Sequence, residues 1–305
     1  MISFRYHLVT IVAVFLALAI GLLAGSAFVE PQLLDQLRSQ TDNLRDKIGE
    51  LEGSLTEARA EIGAFDGFVE AAAPQLTQDR LLATPVVIVT QIGVEEEVLR
   101  EAQAALASAG ARIVTTVSAT DELVSDEPTT QQELALMLGE PTAPAEELPN
   151  LVAQALAGRL SPTGSSVIGD DILADLLSGG FLAPVGAGPS ETTLAEIGTP
   201  GQVVIVLSGG RGEEAVLAPE AFAVPLVESL AAQEVPVAAG ESILSEFPYV
   251  TLVRANGDFG TVTVDDLDQT MGGVALVLGL EQLLATGQGG AYGVKDGAEP
   301  LPPPP

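Results

Sequence analysis

The chain has 305 residues, 47 % of them hydrophobic, so it can bury a sizeable core and is not a disordered polymer. Its 42 acidic residues against 12 basic ones give a formal charge of −30, which excludes nucleic acid as a partner because phosphate binding needs clustered Lys and Arg. There is no cysteine and one histidine, His7, so disulfides, thiolate nucleophiles, zinc fingers and multi-histidine metal sites are excluded, and a Ser-His-Asp triad is open to His7 alone.

Leu8 to Val29 carries no charge, and about 20 apolar residues at ~1.5 Å each suffice to cross a hydrocarbon core of ~30 Å. Arg5 precedes this stretch and Glu30 and Asp35 follow it, which by the positive-inside tendency predicts a single-pass anchor with residues 30–305 outside the cytoplasm. A cleaved signal peptide is the rival reading, with Ala24-Gly25-Ser26-Ala27 as the small-residue cleavage site. The apolar run exceeds the usual signal core of ~7–15 residues, which favours a retained anchor.

A heptad register follows. Leu37, Leu44, Leu51, Ala58 and Phe65 form one column; Leu34, Thr41, Ile48, Leu55, Ile62 and Val69 form the other. Charged residues fill the remaining faces, which predicts a coiled-coil stalk over 30–73 and a homo-oligomer through it. The alternative is one amphipathic helix packed on the globular domain. Gly49, Gly53 and Gly63 weaken an isolated helix and favour one that needs a partner chain.

Residues 84–294 read as an α/β domain. Val86 to Thr90 is a β-branched run suited to a strand buried on both faces, Val94 to Ala109 a helix stopped by Gly110, and Ile113 to Val117 a second strand. Strand, helix and strand with short connections make a βαβ unit and a parallel pair. Residues 125–165 are rich in Pro, Glu and Ala and read as short helices with a mobile excursion. Val203 to Leu207, Val235 to Val237, Val250 to Val253 and Val262 to Val264 are further strand candidates; Pro219 to Gln233 and Met271 to Ala285 are helices. The tail, 295–305, reads as disordered. The sum is a mostly parallel sheet covered by helices, and uniformly apolar strands do not fit an outer-membrane barrel.

Two clusters are candidate sites. Gly209, Gly210 and Arg211 follow a buried strand at the edge where open α/β sheets bind ligands, and such a turn offers backbone N–H groups to an anion. No phosphate motif is complete there and Glu213 and Glu214 oppose an anion, so a plain strand-exit turn is the other reading. Asp265, Asp266 and Asp268 offer oxygen ligands to a hard cation such as calcium or magnesium; equally, they cap the helix that follows. Neither cluster makes a catalytic set, and a non-enzyme is expected. Soft copper wants sulfur or imidazole, and Met1, Met137, Met271 and His7 are scattered along the chain.

The opening MISFRYHLVTIVAVFLALAIGLLAGS, the stalk, and the closing TVDDLD, GLEQLL and GGAYG resemble the actinobacterial family of mycobacterial copper transport protein B. The resemblance runs in order over essentially the whole chain. It implies an exported, membrane-associated protein of copper efflux or homeostasis, and copper itself is implied by the resemblance alone. The residue-level architecture admits a second function, a membrane-tethered scaffold or regulator of envelope or cell-division partners.

Overall fold

A computed structural model describes residues 4–162, 171–186, 188–210, 217–247, 249–257 and 260–301. The chain divides into two compact units, Met1–Asp66 and Gly67–Pro305.

The first unit is helical, the greater part of helix α1 (Phe4–Thr77). Within it Arg5–Gly25 is long and apolar enough to cross a membrane, and none of it is buried in the protein. The heptad residues from Leu37 to Phe65 are likewise exposed.

The second unit is built on one seven-stranded sheet in the order β3-β2-β1-β4-β5-β6-β7. Its strands are β1 (Pro85–Gln91), β2 (Arg112–Ala119), β3 (Leu182–Pro184), β4 (Val203–Leu207), β5 (Val237–Gly240), β6 (Val262–Val264) and β7 (Gly290–Tyr292). All neighbours are parallel except β2 and β3. The sheet is open, with β3 and β7 at its edges. The apolar runs Val86–Val89 of β1 and Val203–Leu207 of β4 occupy the middle because helices cover both faces.

Two apolar layers sandwich the sheet. The first takes Val87, Val89, Val204, Val206 and Ala239 from the strands. Over them lie α3 (Pro128–Met137), α4 (Leu148–Leu160), α5 (Ile172–Ser178), α7 (Ala223–Ala232) and α8 (Tyr249–Ala255). The second takes Val86, Ile88, Val203, Ile205 and Val262 under α2 (Glu96–Ser108) and α9 (Thr270–Thr286). A short helix α6 (Glu191–Glu196) precedes β4. The βαβ unit of β1, α2 and β2 forms as read, with Gly110 left-handed at φ +73° just past the end of α2.

Three departures have physical causes. The short helices expected in 125–165 form as α3 and α4, but residues 148–160 are a core helix rather than part of an excursion: Leu148, Val152, Leu156 and Leu160 recur every four residues and are all buried against the sheet. Val250 to Val253 is helical, not a strand. There Tyr249, Val250 and Val253 face the core, and packing against α7 outweighs a β-propensity worth only ~1 kcal/mol across its whole scale. The strand expected at Val235 to Val237 begins where that reading ends, at Val237. The segment after β7 is described as far as Leu301; Pro302–Pro305 lie outside the described residues, as do 163–170 of the 125–165 stretch.

Candidate functional site at the carboxyl edge of the sheet

Strand order places β1 and β4 side by side with their connections running to opposite sides, the point where open α/β sheets hold ligands. The register carries a row of polar side chains across this edge. Val89 pairs with Val206, so two residues on Gln91 stands beside Ser208. Leu207 pairs with Gly240 and Gly240 with Val264, so one residue on Ser208, Glu241 and Asp265 stand in line. The ladder continues through them: Ser208 N donates to Gly240 O at 3.2 Å and Glu241 N to Val264 O at 3.0 Å. Alternation along each strand puts all four on the face of the first apolar layer. None is more than 3 % exposed.

The β5–β6 half of the row is closed by the chain itself. Lys295 Nζ donates to Glu241 Oε1 at 2.8 Å and to Ser242 O at 3.1 Å, while Tyr249 N donates to Glu241 Oε2 at 2.9 Å. Arg254 Nη1 donates to Asp265 Oδ2 at 2.7 Å, and the N–H groups of Val294 and Lys295 donate to Asp265 Oδ1 at 2.7 and 3.1 Å. Arg254 also donates to Thr263 Oγ1 and to the carbonyls of Tyr292 and Asp296. Both buried carboxylates are therefore matched by cations, which is the condition for keeping charge out of water. Burial still outweighs the Lys295 ammonium, and the Glu241 carboxyl sits above its usual range. Burial, and then the Glu241 charge, push the Tyr249 phenol well up; its hydroxyl donates to Val206 O at 3.3 Å.

The β1–β4 half is different. Gln91 Nε2 donates to Leu217 O at 2.7 Å, but its Oε1 and the Ser208 Oγ have no hydrogen-bond partner among the described residues.

The sequence-read residues fall around this row. Gly209 adopts φ +75°, and a side chain there would run into Ser245 Oγ and crowd Glu241 Oε2, so packing on the β5 exit accounts for this glycine. Gly210 O accepts from Glu246 N at 3.0 Å. Arg211 lies outside the described residues. Asp265, Asp266 and Asp268 go separate ways. Asp265 is bound to Arg254. Asp266 lies against Gly272 of α9, on the other side of the sheet, with its Oδ1 unpartnered among the described residues, and burial, aided by the Asp265 charge, raises its carboxyl to about 6. Asp268 Oδ1 accepts from Ile243 N at 2.8 Å. Among the described residues no group of three or more His, Cys, Asp or Glu side chains is placed to hold a metal ion. Nor do the aspartates cap α9, whose N-cap is Gln269 without a side-chain bond. Sequence reasoning missed Gln91, Glu241, Arg254 and Lys295. Its usable signal was that each apolar strand run, VVIVTQ, VVIVLS, VAAGE and VTVD, ends on a polar residue.

The family described as "Copper transport outer membrane protein, MctB" matches residues 1–303 of the chain. The chain belongs to this family. The proteins named copper transporter MctB of Mycobacterium tuberculosis and Mycobacterium bovis are each 27 % identical to it over 318 residues, covering 98 % of this chain and 98 % of the relative. That of Mycobacterium leprae is 27 % identical over 321 residues with the same coverage. Copper, the cargo in these names, finds no paired sulfur in the α/β unit of this family member. Met137 ends α3 and packs against the first apolar layer, whereas Met271 lies on α9, whose core residues belong to the second. The sheet stands between them.

Proposed function

We propose that this chain is a membrane-anchored, non-catalytic envelope protein of copper transport or homeostasis, with its N-terminus in the cytoplasm and its α/β unit outside. One observation carries the anchoring: Arg5–Gly25 is 21 residues of mean hydropathy 2.7 with none of its surface buried by the rest of the protein. Leaving that surface in water costs ~25 cal/mol per Å², so a bilayer is its natural environment. Copper comes from the family and the names of its members. The non-catalytic reading is supported by the carboxyl edge of the sheet, where Glu241 and Asp265 are engaged by the chain's own Lys295 and Arg254.

A second reading, a membrane-tethered scaffold or regulator of envelope or cell-division partners, is favoured by the exposed heptad face of α1. One experiment separates them. A deletion strain is complemented with the full chain or with a chain lacking residues 5–25, and copper tolerance, cell copper content and cell-separation morphology are scored together. Raised copper content and sensitivity, rescued only by the anchored chain, support the first reading. A separation defect with unchanged copper content refutes it in favour of the second. Protein recovered from soluble culture fractions without residues 1–26 refutes the retained anchor.

A further inference from the structure

We propose that the exposed face of α1 between Leu37 and Phe65 is covered by the same face of a second copy of this chain, as a two-stranded, parallel, in-register coiled coil. Leu37, Leu44, Ile48, Leu51, Leu55, Ile62 and Phe65 are between 49 and 69 % exposed, too much contiguous apolar surface for a helix meant to stand in water. The glycines agree. Gly49, Gly53 and Gly63 have nothing within 4 Å of where a side chain would begin, so no packing within the chain calls for them. Each costs the helix ~0.5–1 kcal/mol relative to alanine, and a helix without tertiary packing is marginal to begin with.

The layer composition selects the occupant. In heptad positions, Thr41, Ile48, Leu55 and Ile62 take a, and Leu37, Leu44, Leu51, Ala58 and Phe65 take d. β-Branched residues at three of four a positions with leucine leading at d favour two parallel strands over three or four. A second copy also matches in charge. In a parallel dimer each g position faces the e position five residues on in the partner, which sets Lys47 against Glu52 twice by symmetry. Gln40 faces Arg45 and Ser54 faces Arg59, both without conflict; Glu61 against Asp66 is the one like-charged pair, at the end of the exposed run. Parallel direction also follows from the anchoring proposed above, because two copies rooted in one bilayer by Arg5–Gly25 leave it the same way.

The chain has no cysteine, so single cysteines report the pairing without background. The full chain is purified in mild detergent, and its mass is expected at twice 31.2 kDa. Under mild oxidation with diamide, Leu44→Cys joins two chains nearly completely, whereas Ala60→Cys, on the outer face, does not. An antiparallel pair that covers the whole face sets residue 44 opposite residue 55 and leaves its two copies too far apart for a disulfide. Lys47→Glu and Glu52→Lys each weaken association about tenfold, and the two together restore it. Leu44→Asp with Leu51→Asp yields monomer. A monomeric or three-chain mass for the natural chain, a dimer in which Leu44→Cys does not cross-link, or charge reversals that fail to compensate would each overturn the proposal. These readouts involve no copper, so they fail or succeed apart from the copper reading.

Discussion

Replacing Asp266 with asparagine tests how the acidic edge of the α/β unit is held. Asp266 is 5 % exposed, its Oδ1 has no hydrogen-bond partner among the described residues, and the backbone of α9 at Gly272 closes over it. Burial and the neighbouring Asp265 charge raise its carboxyl from 3.8 to about 6. The folded state thus holds this proton more tightly than the unfolded chain does. Below about pH 4 both states are protonated and there is no penalty. As pH rises the unfolded state releases its proton first, and stability falls until about pH 6, above which the deficit is constant. At about 1.4 kcal/mol per pH unit, the span from 3.8 to about 6 amounts to about 3 kcal/mol.

Asp266→Asn keeps the shape and removes the charge, so it is expected to stabilise the unit at pH 7 by about 3 kcal/mol and to leave stability at pH 4 nearly unchanged. For a unit of this size that is about 6–12 °C in Tm. The chain has no tryptophan, and Tyr249 is fully buried, so tyrosine emission reports unfolding of the α/β unit directly. Melts from pH 4 to pH 7 should diverge between the natural chain and Asp266→Asn. Parallel curves over that range, or a variant less stable at pH 7, would refute the reasoning.

Lys295→Met leaves the fully buried Glu241 without its cation; breaking a buried pair costs ~3–5 kcal/mol, moderated here because Lys295 is 20 % exposed, and most of the loss should return in Lys295→Met with Glu241→Gln. Because the Glu241 carboxyl already sits above its usual range, the Lys295→Met deficit should shrink as pH falls toward 4, and a deficit independent of pH would count against the pair. On copper, the purified chain should not take up Cu(I) tightly, since its soft ligands are His7 and three methionines, of which Met137 and Met271 lie on helices of opposite faces of the sheet. Stoichiometric uptake in competition with a Cu(I) chelator would contradict this.

The fold was legible where its signal is local. The β-branched runs at Val86 and Val203 announce strands buried on both faces, and Gly110 marks a helix end. The failures were tertiary. Val250 to Val253 carries strand-like residues into a helix because Tyr249 and Val253 face the core together, and the core role of α4, one of the short helices expected in a Pro- and Glu-rich stretch, shows only once Leu148, Val152, Leu156 and Leu160 are seen to line one face. The edge strands β3 and β7, three residues each, are too short for alternation to show.

The site was less legible than the fold, and for a different reason. Gln91, Ser208, Glu241 and Asp265 are scattered over 175 positions, and only strand order and register make them neighbours. Nothing local distinguishes Glu241 from the many surface acids of so acidic a chain. What distinguishes it is that the strand before it ends flush with β4 and β6, so the next residue is sealed between them. A sealed carboxylate requires a cation, and the two that serve, Arg254 and Lys295, come from α8 and from the segment after β7. Gly293 follows from the same constraint. It sits at φ +125° where any side chain would collide with the Asp265 carboxylate, so the closing stretch GGAYG is shaped by the acid it covers. The acidic triplet drew attention as a metal site because its residues are close in sequence; just past the end of β6, Asp265 meets Arg254 of α8 while Asp266 lies against Gly272 of α9, on the opposite face. Adjacency in sequence is therefore poor evidence for a shared ligand at the end of a strand, whereas equal distance past the last paired residue of neighbouring strands is good evidence for a shared row.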